Sequence, residues 1–306
     1  TWRLLNSQKV RAVLIHEFSP FTLQGLVYAK VKGLPVVVST EVGRRNAHFF
    51  NLRTKLWHAF WGLWVDGIAA CSPAAHEPLS RKRVPTVSVY HGVDSRLYAP
   101  APSRKDSHEP VIFAYAGQLI PRKGLDLFLK AAAELKAREV EGFKLRFIGG
   151  GDASWLERQI QHTGLQAHVE RMDFLSGEAL RNALQSADVF VLPTRQDTYG
   201  VVVHEASCLG LPLLVSRHAG AAEALVKERR NGFVVTPEDT GAFADCLWRL
   251  LDATVRKEMS VVSREIGEAH SAHLRGKALW EWMDKNFLRG APVPVETAAG
   301  RIQPQH

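Results

Sequence analysis

Short apolar runs of three to six residues alternate along the chain with longer stretches whose apolar positions recur every third or fourth residue. The runs are Ala12–Ile15, Val36–Ser39, Gly67–Ala70, Thr86–Tyr90, Val111–Ala116, Lys144–Ile148, Val169–Phe174, Val189–Leu192, Leu213–Val215 and Gly232–Val235. Most lack the alternation of a strand with one wet face, so they predict strands covered on both sides. Helical periodicity fills the gaps at Gly124–Arg138, Trp155–His162, Gly177–Ser186, Val201–Cys208 and Ala242–Leu251. This rhythm predicts an α/β chain of doubly wound, Rossmann-like parallel sheets. One stretch interrupts it: Tyr98 to Pro110 is rich in Pro and charge and reads as a linker. The expected units are residues 1–106, residues 107–268, an amphipathic helix within 269–288 placed to cross back to the first unit, and a Gly/Pro-rich tail at 289–306 expected to be disordered. The last helix is expected over Lys277–Phe287.

At 306 residues, 46% hydrophobic and 23% charged, the chain is long enough for two cores. Three scattered cysteines (Cys71, Cys208, Cys246) form neither a disulfide framework nor a CxxC metal pair, which fits a reducing compartment. No apolar run approaches a membrane span, and no signal peptide opens the chain. The net charge of +8 comes without any nucleic-acid-binding motif, so no nucleic-acid partner is expected. A phosphorylated substrate or an anionic membrane face accounts for it equally well.

The densest chemistry lies between Pro193 and Glu223. In an open parallel sheet, ligands sit beyond the carboxyl ends of the strands. Asp197 and the turn at Gly200 follow such a strand. The amides of Gly200, Val201 and Val202 open a helix and can hold a phosphate. Glu205, one turn further in, repels phosphate but can accept hydrogen bonds from a vicinal diol such as a ribose. Taken alone, Asp197 reads equally as a loop acid and Glu205 as a solvated helix residue. A second crossover, Gly117 to Gly124 (GQLIPRKG), places Lys123 and Arg122 at a helix start, suited to a diphosphate or simply solvated. Gly149-Gly150-Gly151-Asp152 is either an anion nest or a tight turn capped by Asp152. His16 ends an apolar run, as a packing residue or a ligand contact. His91, His204 and His218 are assigned no chemistry.

These segments together resemble retaining GT-B glycosyltransferases of family 4, the group 1 transferases. The family pattern runs Glu, seven residues, Glu, Ala, a small-residue turn, Gly-x-Pro and Gly-Gly-x-x-Glu. Here Asp197, seven residues, Glu205, Ala206, Gly210-Leu211-Pro212, Gly220 and Glu223 follow it. Asp197 replaces the first Glu, Ala219 the first Gly of the later pair, and Gln118 stands where an Arg is common. His16-Glu17 with Ser19-Pro20 is similar to the family's active-site histidine context. The family's opening strands have no counterpart and residue 1 is not Met, so the chain reads as a fragment lacking its natural start, with an incomplete first domain and activity expected only of the complete protein.

The resemblance implies transfer of a hexosyl unit from a nucleoside-diphosphate sugar to a glycan or lipid-linked acceptor, with retention, in cell-surface polysaccharide or glycolipid synthesis. It assigns Lys123, assisted by Arg122, to the diphosphate and Glu205 to the ribose. Asp197 and His16 fall to the donor sugar, and Leu180 to the apolar side of the base pocket. No cofactor or metal is expected, since no Asp-x-Asp pair is present and the basic site supplies the charge. A degenerate sugar-nucleotide-binding module and, less favoured by the Asp197/Glu205 spacing, a sugar-nucleotide epimerase are the alternatives. Residues 51–65 (NLRTKLWHAFWGLWV) form an apolar stripe beside Arg53 and Lys55, either packed within the protein or docked on an anionic bilayer. The expected location is the cytoplasm, at the inner face of the membrane.

Overall fold

The computed structural model describes residues 10–98 and 110–288. Most of the expected linker, the 106/107 boundary and the 289–306 tail lie outside the described residues. The first lobe contains β1 (Val13–His16), α1 (Pro20–Val31), β2 (Val36–Thr40), α2 (Leu52–Trp61), β3 (Gly67–Ala70) and β4 (Thr86–Ser88). Its strands pair in parallel in the order β1-β2-β3-β4. Ser19 and Pro20 begin α1: the Ser19 hydroxyl accepts from the Thr22 amide at 3.2 Å, and Thr22 Oγ1 accepts in return from the Ser19 amide at 2.9 Å. That reciprocal cap fixes the chain direction just after His16.

The second lobe runs β5 (Val111–Ala116), α3 (Leu125–Ala137), β6 (Phe143–Ile148), α4 (Ala153–Thr163), β7 (Val169–Met172), α5 (Gly177–Gln185), β8 (Val189–Leu192), α6 (Val201–Cys208), β9 (Leu213–Ser216), α7 (Gly220–Leu225), β10 (Gly232–Val235) and α8 (Thr240–Arg249). Its strands are all parallel, in the order β10-β9-β8-β5-β6-β7. The chain therefore builds outward from β5 on one side and then from β8 on the other. The loops that follow β5 and β8 diverge at this reversal and open a crevice. They still touch at their base, where a Cβ on Gly124 would stand 2.0 Å from the Pro193 carbonyl oxygen. Phe113, Phe128, Phe147, Phe190 and Phe243 fill the core of this lobe.

Two further helices follow, α9 (Ala253–Ala269) and α10 (Ala272–Met283), before a last helical turn at Asp284–Leu288 ends the described residues. The first of these is not among the helices expected from periodicity. It packs on α6, where a Cβ on Gly267 would stand 2.6 Å from the Cys208 amide nitrogen. The second begins five residues before the expected start and returns to the first lobe, with the Ala272 amide bonded to the Val93 carbonyl at 2.9 Å. Met283 and Leu288 then bury against Val37 and Ala69, covering the face of the first sheet that α1 leaves open. Gly220 and Glu223 lie on the short helix α7, and β7 stops at Met172, two residues before the end of its apolar run.

Candidate functional site

A cavity of about 630 Å³ lies at the reversal point, beyond the carboxyl ends of β5 and β8. Gln118 and Lys123 contribute from the loop after β5, Gly149 and Gly150 from the loop after β6, and Leu175 and Leu180 from the segment after β7. Asp197 through Val202 and Glu205 complete the lining from the loop after β8 and the start of α6. Of the residues assigned from sequence, Lys123, Asp197, Gly200, Val201, Val202, Glu205 and Leu180 all line this one cavity.

Lys123 donates to Asp197 Oδ2 at 2.5 Å, and both side chains are only 14% exposed. A cation and an anion from two crossovers thus meet on one wall, where partial exclusion of water strengthens their interaction with any charged ligand. Gly200 takes φ 92°, left-handed backbone that a side chain would strain, and this bend aims the start of α6 at the cavity. The first amides of a helix have no acceptor within it, so Val201 and Val202, which line the cavity, have amides available as donors. Tyr98, the last described residue before the connection between lobes, donates its hydroxyl to Glu205 Oε1 at 2.7 Å. Burial pushes the Glu205 carboxyl up from its ordinary range, and the Tyr98 hydrogen bond draws it part of the way back.

Two assigned residues are not brought to the cavity wall. Arg122 sits one position before Lys123 in a tight turn, and its Nη1 donates to the Gln196 carbonyl at 2.8 Å. This bond ties the turn to the loop that carries Asp197. His16, at the end of β1, is exposed and stands off the wall, with Nδ1 3.3 Å from Ser39 Oγ. The glycine turn after β6 does line the cavity, and Asp152 caps α4 by accepting from the Trp155 amide at 2.8 Å.

The first lobe supplies a residue that pattern reading passes over. Glu41, just past β2, reaches the cavity and is paired with His91 Nε2. Chiefly that histidine, and also the Thr198 hydroxyl, hold its carboxyl below the usual range against the opposing effect of burial. His91 in turn lies edge-on to Tyr199, with ring centroids 5.3 Å apart. Beneath this pair, Glu17 accepts from the Glu41 amide at 2.6 Å and from Thr40 Oγ1 at 2.9 Å. Glu17 has φ 53°, so a non-glycine residue in left-handed backbone ends β1 beside the site. The Arg45–Glu223 ion pair at 2.9 Å adds a second bridge between lobes. His204 is fully buried with Nε2 bonded to the Gly267 carbonyl, and burial depresses its pKa. It is a packing residue. Glu41 and His91 carry no local signal, because each gains its partner from 50 residues away.

Residues 101–265 match the family model described as glycosyl transferases group 1. The chain is 30% identical over 271 residues to the GDP-mannose-dependent alpha-(1-6)-phosphatidylinositol monomannoside mannosyltransferase of Mycolicibacterium smegmatis, covering 81% of this chain and 69% of that one. It is 31% identical over 212 residues to the D-inositol 3-phosphate glycosyltransferase of Nocardia farcinica, covering 64% of this chain and 45% of that one. Among solved structures it resembles Anabaena HepE in complex with UDP, with a TM-score of 0.76 at 19% identity over 89% of this chain and 78% of that one. Sucrose-phosphate synthase from Thermosynechococcus elongatus gives a TM-score of 0.75 at 17% identity, over 94% and 77% of the two chains. The two parallel sheets facing each other across a cleft are the GT-B arrangement of these neighbours. The family match, the 30%-identical relative and the shared fold agree: the chain belongs to the group 1 glycosyl transferases.

Proposed function

We propose that this chain transfers a hexosyl unit from a nucleoside-diphosphate sugar to an acceptor hydroxyl, with retention at the anomeric carbon. The observation that carries the proposal is the contact of Lys123 with Asp197 on a wall shared with the start of α6 and Glu205. A sugar nucleotide presents a diphosphate, a ribose diol and a polyol, and these groups match the cation and amides, Glu205 and Asp197 respectively. Lys123 and the α6 amides then hold the charge that grows on the departing diphosphate. The bond from the anomeric carbon to phosphate breaks, the bond to the acceptor oxygen forms on the same face, and the acceptor proton passes to a phosphate oxygen. The cation and amides provide this stabilisation without a metal ion. Closure of the lobes brings His16 toward the donor sugar and excludes water.

The relative that acts on a phosphatidylinositol monomannoside supports a lipid-linked acceptor. So does the aromatic helix of the first lobe. No residue of α2 is buried, and Leu52, Leu56 and Phe60 are each more than half exposed beside Arg53 and Lys55. No helix among the described residues is long and apolar enough to cross a membrane. Apolar side chains next to cations suit shallow docking on an anionic bilayer. Vesicles containing anionic lipid are expected to pellet the protein and neutral vesicles are not; equal behaviour with both ends the membrane reading.

Calorimetry with uridine, guanosine and adenosine diphosphates, followed by turnover of labelled sugar nucleotides by the complete protein, tests the proposal. Binding of one diphosphate and its release from the matching sugar nucleotide are expected. Binding without release makes the chain a nucleotide-sugar-binding module, a reading to which Gln118, a neutral residue on the cavity wall, lends weight. Binding of none rejects both readings.

A further inference from the structure

The hydrogen bond between Tyr98 and Glu205 joins residues 107 positions apart and brings the end of the first lobe onto the cavity wall. Tyr98 packs against the core of the second lobe, and the carbonyl of its neighbour Leu97 accepts from Arg181 Nη1 at 3.4 Å. Arg181 follows Leu180 on α5, and Leu180 lines the same cavity. The chain entering the connection between lobes is therefore pinned beside two walls of the nucleotide space. Burial, together with the adjacent carboxylate, keeps the phenol protonated, so its hydroxyl acts as a donor. A carboxylate offers about four lone-pair positions, so one donor leaves most of its accepting capacity unused. Among the described residues Glu205 Oε2 has no hydrogen-bond partner.

We propose that Tyr98 is the positioning residue of the ribose subsite: its hydroxyl locks Glu205 through Oε1 and leaves Oε2 to receive the ribose diol. The proposal rests on the reading of Glu205 as the ribose acceptor. A glutamate side chain free to rotate loses that freedom when the nucleotide binds, whereas one already held by Tyr98 has little left to lose. Tyr98 thus raises discrimination for the 2′-hydroxyl without touching the nucleotide.

The test compares GDP, UDP and ADP with their 2′-deoxy counterparts by calorimetry, in wild type, Tyr98→Phe, Glu205→Gln and the double variant. Wild type is expected to prefer the ribonucleotide by about tenfold, the low end of what one hydrogen bond to a charged group is worth. Tyr98→Phe keeps the ring and its packing and is expected to cut that preference roughly threefold, leaving deoxynucleotide affinity in place. In the Glu205→Gln background the same change is expected to have no further effect on the ratio, because the group it positions is gone. If wild type discriminates and Tyr98→Phe retains the full preference, the positioning role is wrong while the function proposed above stands. If wild type binds a diphosphate without discrimination, the ribose role of Glu205 falls and this inference with it. If wild type binds no nucleoside diphosphate, the functional reading itself fails.

Discussion

Lys123→Ala is expected to weaken nucleoside-diphosphate binding by about 10- to 100-fold, the worth of a lost charge-assisted hydrogen bond of about 1.5–3 kcal/mol. Turnover should fall further, by at least about 100-fold, because in the proposed transfer charge grows on the departing phosphate as its bond to the anomeric carbon breaks. The substitution also strands Asp197, whose carboxylate is 14% exposed and partnered by Lys123 at 2.5 Å. An unpaired carboxylate so placed destabilises the fold, and a loss of affinity alone would not separate binding from folding. Asp197→Asn supplies the comparison. It frees Lys123 for the diphosphate, so binding of the nucleoside diphosphate should stay within about threefold of wild type, while turnover drops by about 100-fold through lost contacts to the sugar. The double variant should recover stability relative to Lys123→Ala without recovering affinity. Calorimetry, single-turnover assays and thermal midpoints read the three quantities. Equal nucleotide affinity in Lys123→Ala and wild type would remove the diphosphate role of this lysine.

Gly149→Ala is expected to be the most damaging single methyl addition in the cavity wall. Gly149 has φ 153°, and a Cβ there would stand 1.9 Å from the Gly117 carbonyl oxygen. Both partners are backbone, so no rotamer change relieves the clash. Gly117 is bonded to Ile148 at 2.9 Å and Gly149 to Met172 at 3.1 Å, so moving either one disturbs three adjacent strand ends. The expected loss is about 3 kcal/mol, which corresponds to a fall of roughly 6–12 °C in thermal midpoint for a unit of this size. Nucleotide binding should weaken as well, because the same displacement carries Gln118 and the approach to Lys123 away from the wall. A midpoint within a degree of wild type would show that the two loops are not packed this closely.

The strands were the most legible part of the fold. Val111–Ala116 and Val189–Leu192 fall where their apolar runs lie, because a strand covered on both faces must be apolar at nearly every position. Helices were less so. Helix α9 carries a mixed surface and only a narrow buried stripe of Met259, Ser263 and Gly267, of which the small Ser263 and Gly267 allow close approach to α6. Its packing partner, not its hydrophobicity, explains its composition. The glycine at residue 200 announced a turn and a helix start, since left-handed backbone there favours a residue without Cβ.

By itself the sequence determined an α/β chain of covered parallel strands, the loops that carry Lys123, Asp197 and Glu205, and the kind of ligand those groups suit. Only the tertiary structure decided which side chains meet. Arg122 and Lys123 are neighbours in one turn, yet one donates to the Gln196 carbonyl and the other to Asp197. Glu41 with His91, Tyr98 with Glu205 and Arg45 with Glu223 pair across 50, 107 and 178 residues. Periodicity records whether a position is buried, a property each residue has locally; which partner it finds depends on strand order and on how the two lobes face each other, and neither leaves a local trace.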